Sequence, residues 1–166
     1  MAGPERKSEL YRVLAFEHDP DLRIEKDVLR DGLAAWEGAR GARPMPARAD
    51  LDPRRLPRRL LPHVLLVDVE HRPVLRFRWR LIGTHVTTAV GRDSTGRYLD
   101  ELYEPEILAA VTEPMRWTVV NRRPLRVLGT GQLVGKDYLH SENLQMPLSS
   151  DGEGVDMILL VTVFRN

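Results

Sequence analysis

The five histidines are the side chains of this sequence best suited to ligating a metal or moving a proton near neutral pH. They lie at positions 18, 63, 71, 85 and 140. No two of them have the i, i+4 spacing of a helical ligand pair, and none has an acidic partner at ligand spacing, so the pattern argues against a metal site. The chain has no cysteine, which excludes disulfides, thiolate ligands and a cysteine nucleophile.

Other catalytic and phosphate-binding patterns are incomplete. There is no Gly-x-Ser-x-Gly elbow, and the glycine-bounded loop 91–97 lacks the lysine of a phosphate-binding loop. The pair Gly129 and Gly131 is not followed by a helical pattern, which a dinucleotide fingerprint requires. The sequence therefore predicts a protein that is not an enzyme. The alternative is a small α+β enzyme or carrier with a hydrophobic pocket, in which His85 is the acid or base and Asp93 is its partner.

Length and composition indicate one domain. The chain has 166 residues, 42% of them hydrophobic and 30% charged, and it contains no apolar run long enough for a membrane span. We expect a domain over residues 20–166, preceded by an N-terminal extension of residues 1–19. The N-terminus lacks an apolar signal core, so a cytoplasmic location is expected. The net charge of +1 makes nucleic acid an unexpected partner.

Residues 40–59 form an arginine-rich segment, with seven arginines against Asp50 and Asp52. The segment could bind a nucleotide or another polyanion, or it could pair with the acidic helix before it, which is the favoured interpretation. Asp50 and Asp52 are expected to cap turns rather than to act as a carboxylate pair.

The helices are predicted from apolar spacing and end signals. An amphipathic helix is expected from Pro20 to about Glu37, with Asp19 as its N-cap. Residues 10–17 fit an edge strand or a helical turn. A short helix is predicted over 85–90, capped by Thr84 and ended by Gly91 in the left-handed conformation. A longer helix is predicted over 105–121, either bent or restarted at Pro114.

Five strands are predicted, at 64–70, 75–82, 125–134, 143–148 and 155–164. The first two form a hairpin, in which Asp68 and Glu70 share a face with the arginines of the second strand. The last strand is apolar on both faces. This pattern is typical of a central strand that is covered on both sides, and the N-terminal helix or a second subunit must supply one cover.

Four motifs in this order carry a family resemblance. They are RADLDP (48–53), LLPHV (60–64), FRWRLIGT (77–84) and GRDSTGR (91–97). Together they resemble the compact, often free-standing bacterial PAS domains, a subfamily long classed as a domain of unknown function. The resemblance extends over about residues 33–164. It implies an α+β, PAS-like fold: a five-stranded antiparallel sheet with short helices on one face and an N-terminal amphipathic cap helix.

The resemblance also implies a ligand pocket between the sheet and the short helices. The matching wall positions are Phe77, Trp79, Leu81, His85, Val86, Val90, Leu102, Ile107, Val111, Met115 and Val127. These side chains could equally fill the space by packing on each other. His85 discriminates between the two cases, because an inward-pointing ring needs a hydrogen-bond partner that a ligand could provide.

The same resemblance limits the cofactor, which stays unknown. PAS domains that form a flavin-cysteinyl adduct or bind a cysteine-linked chromophore need a cysteine that is absent here. Haem-binding relatives use a histidine on the long helix, and residues 105–121 contain none. Flavin bound without adduct chemistry remains open.

The expected function is that of a non-enzymatic sensory or regulatory module, acting through a small-molecule ligand, through protein contacts or through both. A homodimer is expected. No kinase, cyclase or DNA-binding pattern is found in the chain, so the output is expected to pass through an unidentified signalling protein.

Overall fold

The computed structural model describes residues 16–130 and 140–165. One six-stranded antiparallel sheet has the order β1-β4-β5-β6-β2-β3. Its strands are β1 Glu17–Asp19, β2 Val64–Glu70, β3 Arg76–Ile82, β4 Leu125–Thr130, β5 His140–Leu148 and β6 Met157–Arg165. The helices are α1 Asp27–Arg40, α2 Thr84–Val90, α3 Leu99–Leu102 and α4 Pro105–Asn121, with 3-10 turns at Arg48–Asp50, Pro53–Arg55 and Leu61–His63.

The predicted α+β class and antiparallel sheet are confirmed, with six strands instead of five. The additional strand is β1, which pairs with β4 at the edge of the sheet. Glu17 therefore belongs to a strand, while residues 10–15 of the segment left open by the sequence lie outside the described range. The strand prediction for 125–134 also extends into residues that are not described.

The last strand occupies the central position that its composition predicted. β6 pairs with β5 on one side and with β2 on the other. Ile158 and Val161, which point to opposite faces, are both completely buried. A strand with this environment requires a cover on each face of the sheet.

The first cover is α1, as predicted for the cap helix. Its Gly32 lies so close to β6 that a Cβ there would be 2.7 Å from Cγ2 of Val161. The indole N–H of Trp36 donates a hydrogen bond of 2.8 Å to the carbonyl oxygen of Pro147 on β5. We call this side of the sheet the α1 face. The helices α2, α3 and α4 lie on the other side, which we call the cavity face.

The predicted start of α1 was wrong by seven residues. Asp19 does not cap the helix, because its carboxylate accepts the N–H groups of Asp21 and Arg23 in a separate turn, at 3.1 and 2.9 Å. Leu22 has φ of 55°, which is incompatible with a continuous right-handed helix. The helix begins only at Asp27 and extends to Arg40, three residues past the predicted end.

The other helices differ from prediction at their ends. The N-cap of α2 is Gly83 and not Thr84, and a Cβ at Gly83 would collide with the carbonyl oxygen of Pro62. Gly91 ends α2 with φ of 87°, as predicted. Helix α4 continues through Pro114, although proline offers no N–H to the preceding turn.

The described residues contain no helix of the length and hydropathy needed to cross a bilayer.

Candidate functional site

A cavity of about 160 Å³ lies between the cavity face of the sheet and helices α2 and α4. Six of the predicted positions lie on its wall: Trp79, Val86, Val90, Val111, Met115 and Val127. The wall is therefore mostly apolar and combines strands with helices that are distant in sequence.

A β-bulge removes Leu81 from this wall. Leu66 pairs with Leu81, but the next pair is Val67 with Trp79, so Arg80 has no partner in the register. The extra residue reverses the alternation of side chains beyond it. As a result Ile82 lines the cavity, and Leu81 points to the opposite face with 42% of its surface exposed.

Four other predicted positions also lie off the wall. Phe77 is buried in the core, two residues before the cavity-lining Trp79 on β3. Ile107 is half-buried against the core. Leu102 lies in a groove at the surface beside α3 and α4. None of these three side chains contributes to the lining of the cavity.

His85 is the fourth predicted position that lies off the wall, and its ring contacts other groups of the protein. Its ring lies 4.1 Å from that of His63 and 5.8 Å from that of Phe164, between ring centroids. The N–H of Phe164 donates to Nε2 of His85 at 3.4 Å. Nδ1 of His63 lies 2.9 Å from the carbonyl oxygen of Thr162, so this nitrogen carries the proton. Burial lowers the pKa of His85, and electrostatic repulsion from the neighbouring His63 acts in the same direction.

The acid–base pair suggested for a small enzyme is not formed. Asp93 is exposed and accepts hydrogen bonds from the N–H and hydroxyl of Thr95, at 3.0 and 2.6 Å. These bonds fix a local turn and lower the pKa of Asp93. The described contacts of His85 are instead with His63 and Phe164.

A row of polar side chains forms the part of the wall that the sequence interpretation missed. Ser141, Asn143 and Gln145 alternate along β5, and Thr162 lies opposite Asn143 on β6. Asn143 is 9% exposed and Gln145 only 3%. Neither side-chain amide oxygen has a hydrogen-bond partner within the described structure. The available signal was the polar residue at every second position of 141–145, beside the wholly apolar centre of β6.

The loop between α2 and α3 closes one end of the cavity with Arg92 and Ser94. It is tied to β3, because the N–H of Gly96 donates to the carbonyl of Trp79 at 2.7 Å and Trp79 donates to Arg97 at 3.0 Å. Tyr103 also lines the cavity, and burial raises its pKa while the guanidinium of Arg92 acts in the opposite direction.

Phe16 covers another part of the wall from the N-terminal side. It lies directly over Gly129 of β4, where a Cβ would collide with its ring. The absence of a side chain at Gly129 is therefore what allows Phe16 to reach the cavity.

The arginine-rich segment is largely satisfied within the chain. Arg59 pairs with Asp31 of α1 at 2.6 Å, which confirms the predicted pairing with the acidic helix. Asp50 accepts the N–H of Ala47 at 2.7 Å, and Asp52 accepts that of Arg54 at 3.0 Å, so both act as predicted turn caps. Each also pairs with an arginine of the segment.

The size and chemistry of the cavity restrict what it can hold. Its volume is close to that of a cavity of roughly 150 Å³ that binds benzene, and it is well below the range of about 300–1,000 Å³ for drug-sized ligands. The three fused rings of a flavin exceed this space. Among the described residues no group of three or more histidine, aspartate or glutamate side chains is arranged to hold a metal ion.

Comparison with known families gives one match. The family model described as PAS domain matches residues 25–161, which is most of the chain and includes every strand except β1 at least in large part. No curated protein matches the sequence. The sheet order, the helices on the cavity face and the matched range lead to one conclusion: this chain belongs to the PAS domain family.

Proposed function

We propose that this protein is a non-enzymatic sensory module whose cavity binds a small ligand and whose response passes to another protein. The supporting observation is the cavity itself, where an apolar wall contains two buried amide oxygens that have no hydrogen-bond partner among the described residues. Binding sites for small molecules typically combine an apolar lining with a few polar groups in this way.

The composition of the wall favours retention of a ligand over its chemical conversion. The described lining contains two ionisable side chains, Tyr103 and Arg92, and these interact with each other at the edge of the cavity. His85, the candidate acid or base of the enzyme alternative, does not line the cavity. General acid–base catalysis requires a titratable group within hydrogen-bond reach of the substrate.

The sheet provides a route from the cavity to the cap helix. Asn143 and Leu144 are neighbours on β5, and they face the cavity and α1 respectively. On β6, Leu160 lines the cavity, while the next residue, Val161, meets Gly32 of α1. A ligand that favours one arrangement of β5 and β6 would therefore bias the position of α1, provided that the two arrangements bind it with different affinities.

The proposal includes a homodimer and a signalling partner, because PAS domains often associate in pairs or contact signalling proteins. Light scattering coupled to size exclusion should give the mass of two chains at micromolar concentration. The cytoplasmic location stays a prediction from the sequence.

The test of the proposed site fills the cavity. Val127→Phe adds a ring to a completely buried position on the wall. The matched control is Val120→Phe, because Val120 is 75% exposed on α4. We expect native mass spectrometry of the gently purified wild type and control to detect a small bound molecule that is absent from Val127→Phe.

Circular dichroism should give the same secondary structure for all three proteins, so that loss of the ligand is not a loss of fold. A wild-type protein that is empty and also fails to bind any of the added single-ring probes benzene, phenol and resorcinol would overturn the proposed site.

A further inference from the structure

We infer that the cavity selects a single-ring molecule bearing two O–H or N–H donors, which bind the side-chain amides of Asn143 and Gln145. The inference rests on the proposed function and adds the chemical class of the ligand. It starts from the two amide oxygens, which are buried and without a partner in the described residues.

The two amides have a defined geometry. They are two positions apart on β5, so they project to the same face with their Cα atoms roughly 6.7 Å apart. This separation is comparable to the width of one substituted ring. Asn143 lies between Val127 on β4 and Thr162 on β6, while Gln145 lies between Leu125 and Leu160.

The neighbours explain why the protein does not satisfy these groups itself. Leu125, Val127 and Leu160 offer no polar side-chain atoms, and the hydroxyl of Thr162, although it is next to Asn143, makes no hydrogen bond to its amide oxygen. The backbone groups of the strands are committed to the sheet. An unpaired buried polar group is costly, and an apolar side chain of similar shape would avoid the cost. A row of amides at this position therefore indicates a partner outside the described residues, and we assign that place to the ligand.

Both oxygens are acceptors, so the partner must supply donors. The rest of the wall favours a flat, apolar body for that partner, because the indole of Trp79 and the rings of Phe16 and Phe164 face the cavity. The volume of about 160 Å³ limits the body to one ring. Resorcinol has both features, while phenol has one donor and benzene none.

The experiment measures the affinity of the full chain for resorcinol, phenol and benzene by titration calorimetry or NMR. We expect affinity to rise about 3- to 10-fold with each hydroxyl, as a neutral hydrogen bond in a buried site would give. The side-chain NH₂ resonances of Asn143 and Gln145 should shift with resorcinol and much less with benzene.

Two variants assign the effect to the amides. Gln145→Met and Asn143→Leu keep approximate size, and each removes one of the two acceptors. Each should bind benzene at least as well as the wild type and lose the gain of about 3- to 10-fold from one of the two hydroxyls of resorcinol. Asn121→Leu is the control, because Asn121 is exposed on α4 and its amide donates to the carbonyl of Trp117. It should behave as the wild type does.

The possible results separate this inference from the proposed function. Benzene binding as tightly as resorcinol to the wild type would overturn the inference and leave the ligand site standing. No binding of any of the three probes would overturn both. Because the probe series uses the wild-type chain, the inference stays testable even where a variant fails to fold.

Discussion

The two faces of the central strands are built in opposite ways. On the α1 face, Leu144 and Met146 are completely buried, and Gly32 of α1 is pressed against Val161. On the cavity face, the alternate residues of the same strands surround a void and include Asn143 and Gln145. One pair of strands therefore supports a closely packed face and a face with room for a ligand. The comparison teaches that close packing and the lining of the cavity are provided by alternate residues of the same segments.

The two faces also differ in whether their buried polar groups are paired. Opposite the cavity, Arg126 lies between Asp19 and Glu142, at 3.0 and 2.8 Å, and all three are buried. Burial raises the pKa of Asp19, but hydrogen bonds from the N–H of Arg23 and from Arg126 outweigh it and leave that pKa lowered. These three charged groups of the α1 face are thus paired with one another, and the cluster also fixes β1 to β4.

Among the changes that test this contrast between the two faces, removing the cation from the cluster should cause the largest loss of stability. Arg126→Met leaves two buried carboxylates without their shared partner, and we expect a loss of about 3–5 kcal/mol in the free energy of unfolding. The control is Arg80→Met, because Arg80 is exposed and 3.9 Å from Asp68. Its loss should stay below about 1 kcal/mol in the same urea titration. Equal losses would mean that the buried cluster does not set the stability of the α1 face.

A methyl group tests the packing of α1 on the sheet. Gly32→Ala places a Cβ 2.7 Å from Cγ2 of Val161, and we expect destabilisation of about 1–3 kcal/mol from overpacking. Gly38→Ala is the matched control on the same helix, because a Cβ at Gly38 would meet no atom within 4 Å. It should stabilise the protein by about 0.5–1 kcal/mol through helix propensity. Thermal unfolding of both variants checks the sign, and a stabilising Gly32→Ala would show that this face is looser than described.

The smallest expected effect is a pH dependence from His85. Its pKa in the folded protein is below the ordinary value of 6.5, so the unfolded chain binds the proton more readily. The contribution of neutral His85 to the free energy of unfolding is complete above pH 6.5. It is lost as the pH falls below that value toward the pKa of His85 in the folded protein. Protonation would also place a second N–H against the N–H of Phe164.

Unfolding titrations at pH 7 and pH 5 check this expectation. His85→Gln should flatten the dependence in that window, while His140→Gln, at an exposed position, should leave it unchanged. A wild-type protein of equal stability at both pH values would contradict the assignment to His85.

Much of the fold was predictable from the sequence, because apolar periodicity indicates which face of a helix or strand is buried. The two apolar faces of β6 predicted its central position. The stripe on α1 made this helix a candidate cover for one face of the sheet, with a second subunit as the alternative. The end of α2 at Gly91 was predictable because a left-handed residue is needed there. These are local signals, and each needs only a few consecutive residues.

The candidate site was predictable only in part, because its wall depends on register. Trp79 and Val127 are wall positions that the family resemblance implied, but the bulge at Arg80 exchanges Leu81 for Ile82. The start of α1 was missed for a related reason. Asp19 resembles an N-cap in sequence, yet its carboxylate binds a local turn and Arg126, which is distant in the chain.

By itself, the sequence of this protein determined the α+β class, the central strand, the cap helix and the family. Only the tertiary structure decided that a void remains between the sheet and α4 and that His85 contacts His63 and Phe164. It also decided that the amide oxygens of Asn143 and Gln145, on the wall of this void, find no partner in the described part of the chain. The physical reason is that periodicity records whether a side chain is buried. The volume left over, and the partner that each buried polar atom finds, depend on how segments far apart in the chain meet.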